Sequence, residues 1–189
     1  WVIVGGLGSQ IATGSMLIVG YVSLAFVLFY IATYFAINKS KVVSGANENM
    51  SGCALAIELL QSIKDSGVEL DHTEVGVILT GSGAVGACGA REWCQKHSDE
   101  DKAKTVFVCL NTLKEVDSLG VNTREGNGIG HTDSAEFSKR GFSSVSVTGY
   151  NPHTPEYLHT RYDTVDNVSE PCLANAFAIC VSIVEKLDE

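Results

Sequence analysis

Glu48 is the one carboxylate in a turn built of small and amide residues, Ser44-Gly45-Ala46-Asn47-Glu48-Asn49-Met50-Ser51-Gly52. By composition alone this block is a connecting turn, with Ser51 placed to cap a helix over residues 52–64. The other groups with chemical potential are weaker. His131 and His153 lie among Thr, Asp and Pro, the setting of surface hydrogen-bonding histidines. Gly81-Ser82-Gly83 is not followed by G-K-(S/T), so it is no phosphate loop, and Ser82 lacks the G-x-S-x-G elbow of a nucleophile. Gly126-Asn127-Gly128-Ile129-Gly130 is not set between a strand and a helix, as a dinucleotide fingerprint requires.

The elements that must position these groups alternate in type. Residues 1–38 contain no Asp, Glu, Lys, Arg or His, and the apolar run over residues 16–37 is long enough to cross a hydrocarbon core of about 30 Å at 1.5 Å rise per residue. The reading is a transmembrane helix with membrane lipid as its partner. Tyr30 and Tyr34 form an interfacial belt, and Lys39 and Lys41 anchor it. The glycine-rich stretch before it, residues 1–14, reads as the end of a preceding helix and a tight turn, which would make a helical hairpin. Residues 1–41 are therefore assigned to an integral membrane segment and 42–189 to a separate domain, incomplete on its N-terminal side.

In that domain Cys53, Ile57, Leu60 and Ile63 recur at helical spacing. Strands are expected over residues 74–80, 104–110 and 143–148, helices over 85–96, 134–140 and 168–187, the last with Pro171 in its first turn. The alternation implies an α/β fold, a mostly parallel sheet covered by helices on both faces, with loops gathering at the carboxyl ends of the strands.

With 13 basic and 22 acidic residues the formal charge is −9, which excludes phosphate-backbone recognition, so no nucleic acid is expected as a partner. The six cysteines contain no C-x-x-C pair and sit mostly among apolar residues, as buried free thiols do. Glycosylation triplets begin at Asn38, Asn49 and Asn167 and leave the compartment open.

The block around Glu48 resembles the G-A-N-D-N-x-S-G motif of the di-zinc aminopeptidases, a family that also holds carboxypeptidases, glutaminyl cyclases and the non-catalytic domains of transferrin receptor and nicastrin. Two further segments match in order. Residues 157–164 (YLHTRYDT) resemble H-T-x-x-D-T, and residues 130–142, with Asp133, Phe137 and Gly141, resemble the S-D-x-x-x-F-x-x-x-G segment before the last strand. The resemblance puts Glu48 at the metal-bridging position, where the family has Asp, and His159 at the last ligand position.

At two places the pattern departs. Residues 80–91 (TGSGAVGACGAR) resemble F-G-(A/S)-E-E-x-G-L-x-G-(A/S)-(R/K) with Gly83 at the general-base position and Ala84 at the ligand position after it. Asn111 stands where the I-N-L-D segment has its Asp ligand. Neither Gly nor Ala binds a metal or accepts a proton, so the second ion would keep Glu48 and His159 alone, fewer than the three or four ligands of a zinc site. Loss of the base by itself costs about 10²- to 10⁴-fold in rate. The resemblance thus implies a catalytically degenerate, membrane-anchored protein with no cofactor, acting as a binding or scaffold subunit of a membrane complex. Asn49, Asp133, His159 and Asp163 are the expected cleft residues. The alternative is an active zinc peptidase with ligands from upstream or from Glu92, Glu115 or Asp117; another is a metal-free peptide binder using a cleft between Glu48, Asn111 and His159.

Overall fold

The computed structural model describes residues 2–36, 42–83, 86–122, 132–151, 153 and 159–189, and divides into two compact units, Trp1–Val42 and Val43–Glu189. The first unit is a single helix, α1 (Val2–Ala36), uninterrupted over 35 residues. The turn expected in the glycine-rich stretch is absent. A helix-interior glycine costs about 1 kcal/mol, too little to break a long cooperative helix that contains no proline. Within it, Ser15–Phe35, with mean hydropathy 2.2, is long and apolar enough to span a membrane. The Thr33 hydroxyl donates to the Phe29 carbonyl at 2.8 Å, which satisfies a polar group without solvent.

The second unit is an α/β domain built on a three-stranded sheet of order β1-β3-β2. The strands β1 (Val106–Leu110) and β3 (Ser143–Thr148) pair in parallel, Val106 opposite Ser143 and Leu110 opposite Val147. A short strand unforeseen in the sequence, β2 (Gly120–Asn122), adds antiparallel to β3. Alternation along β1 assigns the two faces. Val108 and Leu110 pack against Leu55 of α2 (Ser51–Ser66) and Cys172, Ala176 and Cys180 of α5 (Glu170–Asp188). Phe107 and Cys109 join the opposite cluster of Ala90 and Cys94 from α3 (Cys88–Lys96) and Phe137 from α4 (Asp133–Lys139). In that second layer the Phe107 and Phe137 rings stack at 3.7 Å between centroids, and Trp93 meets both edge-on.

Helix ends follow local chemistry. The Thr132 hydroxyl accepts from Ala135 N at 3.2 Å and that of Ser169 from Cys172 N at 3.3 Å, two N-caps, and Gly67 closes α2 in the left-handed region. Ser51 departs from its expected role. It is the first residue of α2, and its buried hydroxyl makes no hydrogen bond among the described residues. The start of α3 comes later than residue 85 because Gly86 and Ala87 have φ of 97° and 51°, outside the helical region.

The largest difference from expectation is at residues 74–80. The apolar run joins no strand, and among the described residues the backbone of 74–79 makes no hydrogen bond. Period and composition qualify a segment for a strand; a hydrogen-bonded neighbour makes it one. None of the six cysteines is in a disulfide. Cys94, Cys172 and Cys180 are buried, Cys53 and Cys109 half-buried, and Cys88 exposed, contrary to the buried setting expected of it.

Candidate functional site

The loop of residues 45–49 is held from beneath by one buried carboxylate. Asp163 is fully buried, and its Oδ1 accepts from the Asn47 backbone N–H at 2.8 Å and the Asn47 side-chain amide at 3.1 Å. Its Oδ2 accepts from Glu48 N at 3.2 Å, and its carbonyl from Ala46 N at 3.4 Å. A buried charge is stable only when its lone pairs are occupied, and here the donors are the loop's own amides. Asp163 is thus a brace behind the cleft and not part of its lining. The turn also requires glycine at its start: Gly45 has φ 61°, and a Cβ there would lie 2.9 Å from the Glu48 carbonyl oxygen. The Glu48-Asn49 peptide is cis.

So braced, the loop presents Glu48 to the carboxyl end of β1. The Thr112 hydroxyl donates to Glu48 Oε2 at 2.8 Å, with Asn111 Oδ1 at 3.4 Å from the same hydroxyl. Asn111 and Thr112 are pinned to the end of β3, Asn111 N donating to the Val147 carbonyl and Gly149 N to the Thr112 carbonyl, both at 3.0 Å. Gly149 is confined in turn: a Cβ would lie 2.7 Å from the Glu115 carbonyl oxygen. The Asn49 side-chain amide donates to the Leu110 carbonyl at 2.6 Å.

Glu48, Asn49, Gly83, Asn111, Asp133 and His159 line one cleft. The Thr80 hydroxyl bonds Asp133 Oδ2, while Asp133 Oδ1 is buried with no partner among the described residues. His159 is exposed, with φ 60°. Cys109 also faces the cleft, and burial, then the charge of Asp133, pushes its thiol up to about 12, so it stays protonated at neutral pH. Ala84 and His131 lie outside the described residues. His153 is exposed, its N–H donating to Asn151 Oδ1 at 2.9 Å.

Glu92, Glu115 and Asp117 are not among the residues lining the cleft. Glu92 pairs with Lys96 at 2.7 Å on the outer face of α3, which holds its carboxyl below the usual range, and Glu115 lies 3.7 Å from the Lys114 ammonium. Asp117 is on an exposed 3₁₀ turn. Thr112 and the bracing role of Asp163 had no sequence signal: one is an ordinary loop threonine, the other acts 116 residues from its partner Asn47.

Among the described residues, no three of His, Cys, Asp and Glu are grouped so that they could hold a metal ion. A zinc site takes three or four protein ligands, so these donors by themselves do not fit one. What they form is a polar recess with one carboxylate already engaged by a hydroxyl, an amide beside it, and an imidazole on its rim.

No protein-family profile matches the chain, and no curated protein sequence does. Solved structures do. Two structures of the zinc aminopeptidase BSAP from Bacillus subtilis match with TM-scores of 0.64 and 0.65 at 20% and 22% identity. An aminopeptidase from Aneurinibacillus sp. strain AM-1 matches at 0.60 and 18%. Each match takes in 76% of this chain but 42%, 42% and 40% of the neighbour, so the chain spans less than half the length of these enzymes. At such identities the likeness is one of architecture: the domain after α1 has a zinc aminopeptidase-like fold.

Proposed function

We propose that this protein is a membrane-anchored, non-catalytic relative of the zinc aminopeptidases, whose cleft serves binding or scaffolding as a subunit of a membrane complex. The observation that carries the reading is the donor inventory. Glycine, not a carboxylate, lines the cleft at position 83, Asn111 offers an amide, and Glu48 is engaged by Thr112. A hydrolase of this fold would need a base for the attacking water, and Asp133 already accepts from Thr80. The span Ser15–Phe35 supports insertion of α1 into lipid, which places the protein in the membrane under this reading.

The test is hydrolysis of aminoacyl-p-nitroanilides by the chain in detergent, with and without added zinc. No turnover above buffer is expected in either case. Zinc-dependent turnover abolished by Glu48→Ala would overturn the reading and restore an active peptidase, with ligands supplied from elsewhere.

A further inference from the structure

The 45–49 loop and residues 162–167 are locked into one platform. Buried Asp163 takes the loop's amides, Asn47 Nδ2 also donates to the Asn167 carbonyl at 3.3 Å, and Asn167 Nδ2 donates to the Tyr162 carbonyl at 2.7 Å. On this platform the chain holds large apolar side chains in the open. Val165 is 77% exposed, Met50 62%, Tyr162 57% and Val43 40%. Apolar residues scattered singly over a surface are ordinary. Four of them within three residues of one buried, hydrogen-bonded joint make a patch, and a patch on a fixed backbone is a contact surface.

Lipid fits this surface on three counts. Val43 follows Phe35, the last residue of the apolar span, by eight residues, at most about 26–29 Å of extended chain. A surface so tethered meets a bilayer at high effective concentration, whereas a soluble partner must be captured from solution. The second count is charge. Residues 39–50 and 160–168 hold three basic and three acidic residues, so the remainder of the chain carries the whole net charge of −9. An electroneutral side is the one that a bilayer surface repels least. The third is Arg161, whose guanidinium lies 5.0 Å from the centre of the Tyr162 ring and donates to the Tyr162 hydroxyl at 2.8 Å. A tyrosine ring carrying an arginine is apolar at one end and phosphate-seeking at the other, the chemistry of the headgroup layer.

We propose that the face formed by Val43, Met50, Tyr162 and Val165 rests on a zwitterionic lipid surface, with its apolar side chains among the headgroups and Arg161 at a lipid phosphate. Met50 also lines the cleft, so the contact sets the cleft's rim at the lipid–water boundary. The inference rests on the reading of α1 as a membrane span and holds whether or not the cleft is catalytic.

The test uses the whole chain in vesicles of phosphatidylcholine containing a radiolabelled fraction, with the photo-crosslinker p-benzoylphenylalanine placed singly at Phe26, Val165 or Val68. Phe26 lies in the span and reports insertion. Val68 is 60% exposed but lies past the far end of α2, a helix of 16 residues and about 24 Å that starts beside Met50. Lipid is expected to crosslink at positions 26 and 165, and about tenfold less at 68. Tyr162→Asp, which puts a charge on the face at an exposed residue, is expected to cut the label at 165 about tenfold and leave the label at 26 unchanged. No label at 26 would remove the span and the proposal with it. Three results would overturn the proposal alone, with 26 labelled: no more label at 165 than at 68; undiminished label at 165 in the Tyr162→Asp variant; or crosslinks from 165 to a second copy of the chain in place of lipid, which would make the face an interface between copies.

Discussion

Two sides of one domain meet their backbone requirements in opposite ways. The 45–49 loop carries no regular hydrogen-bond ladder, yet its amides end on a fully buried carboxylate, and its turn has room for glycine alone at position 45. Residues 74–79 have the composition of a strand and satisfy none of their peptide groups among the described residues. The difference teaches that apolar character does not report structural commitment. The polar loop is fixed by specific partners far away in sequence, and the apolar segment has no hydrogen-bonded neighbour among the described residues.

Substitutions sharpen that contrast. Asp163→Ala removes the acceptor for three N–H groups and leaves them buried, an expected loss of about 3 kcal/mol in urea-unfolding free energy. Gly45→Ala forces a side chain into φ 61° and against the Glu48 carbonyl, an expected loss of about 2 kcal/mol by the same measurement. Thr112→Val keeps shape and deletes the donor to Glu48, an expected cost of about 1 kcal/mol. At the smallest end, Ile78→Ala on the unpaired segment, where the side chain is 42% exposed, is expected to change stability by less than about 0.5 kcal/mol. A loss above about 2 kcal/mol at Ile78 would mean that the segment is packed and paired in solution, and the contrast would fail.

The sequence made β1 and α5 plain, because a buried β-branched run and a one-face apolar stripe are local signals. It also pointed to Glu48, Asn49, Asn111, Asp133 and His159 as neighbours of one cleft, through motif resemblance and not through periodicity. Less was legible where partners decide. Residues 74–80 read as a strand because pattern carries no information about a missing neighbour. At three residues, Gly120–Asn122 is too short for any period to show, and Ser51 reads as a cap although the chain enters the helix one residue earlier. Asp163 was placed in the cleft by its motif; its burial under Asn47 depends on a contact that only the folded chain makes.

The central claim is that the cleft no longer holds the metal on which its structural neighbours depend for their name. Elemental analysis of the purified chain, prepared without chelator and dialysed against micromolar zinc, tests it most directly. Well under one zinc per chain, unchanged by Glu48→Ala and His159→Ala, is the expected result. Two zinc per chain, lost on either substitution, would contradict it and return the cleft to catalysis.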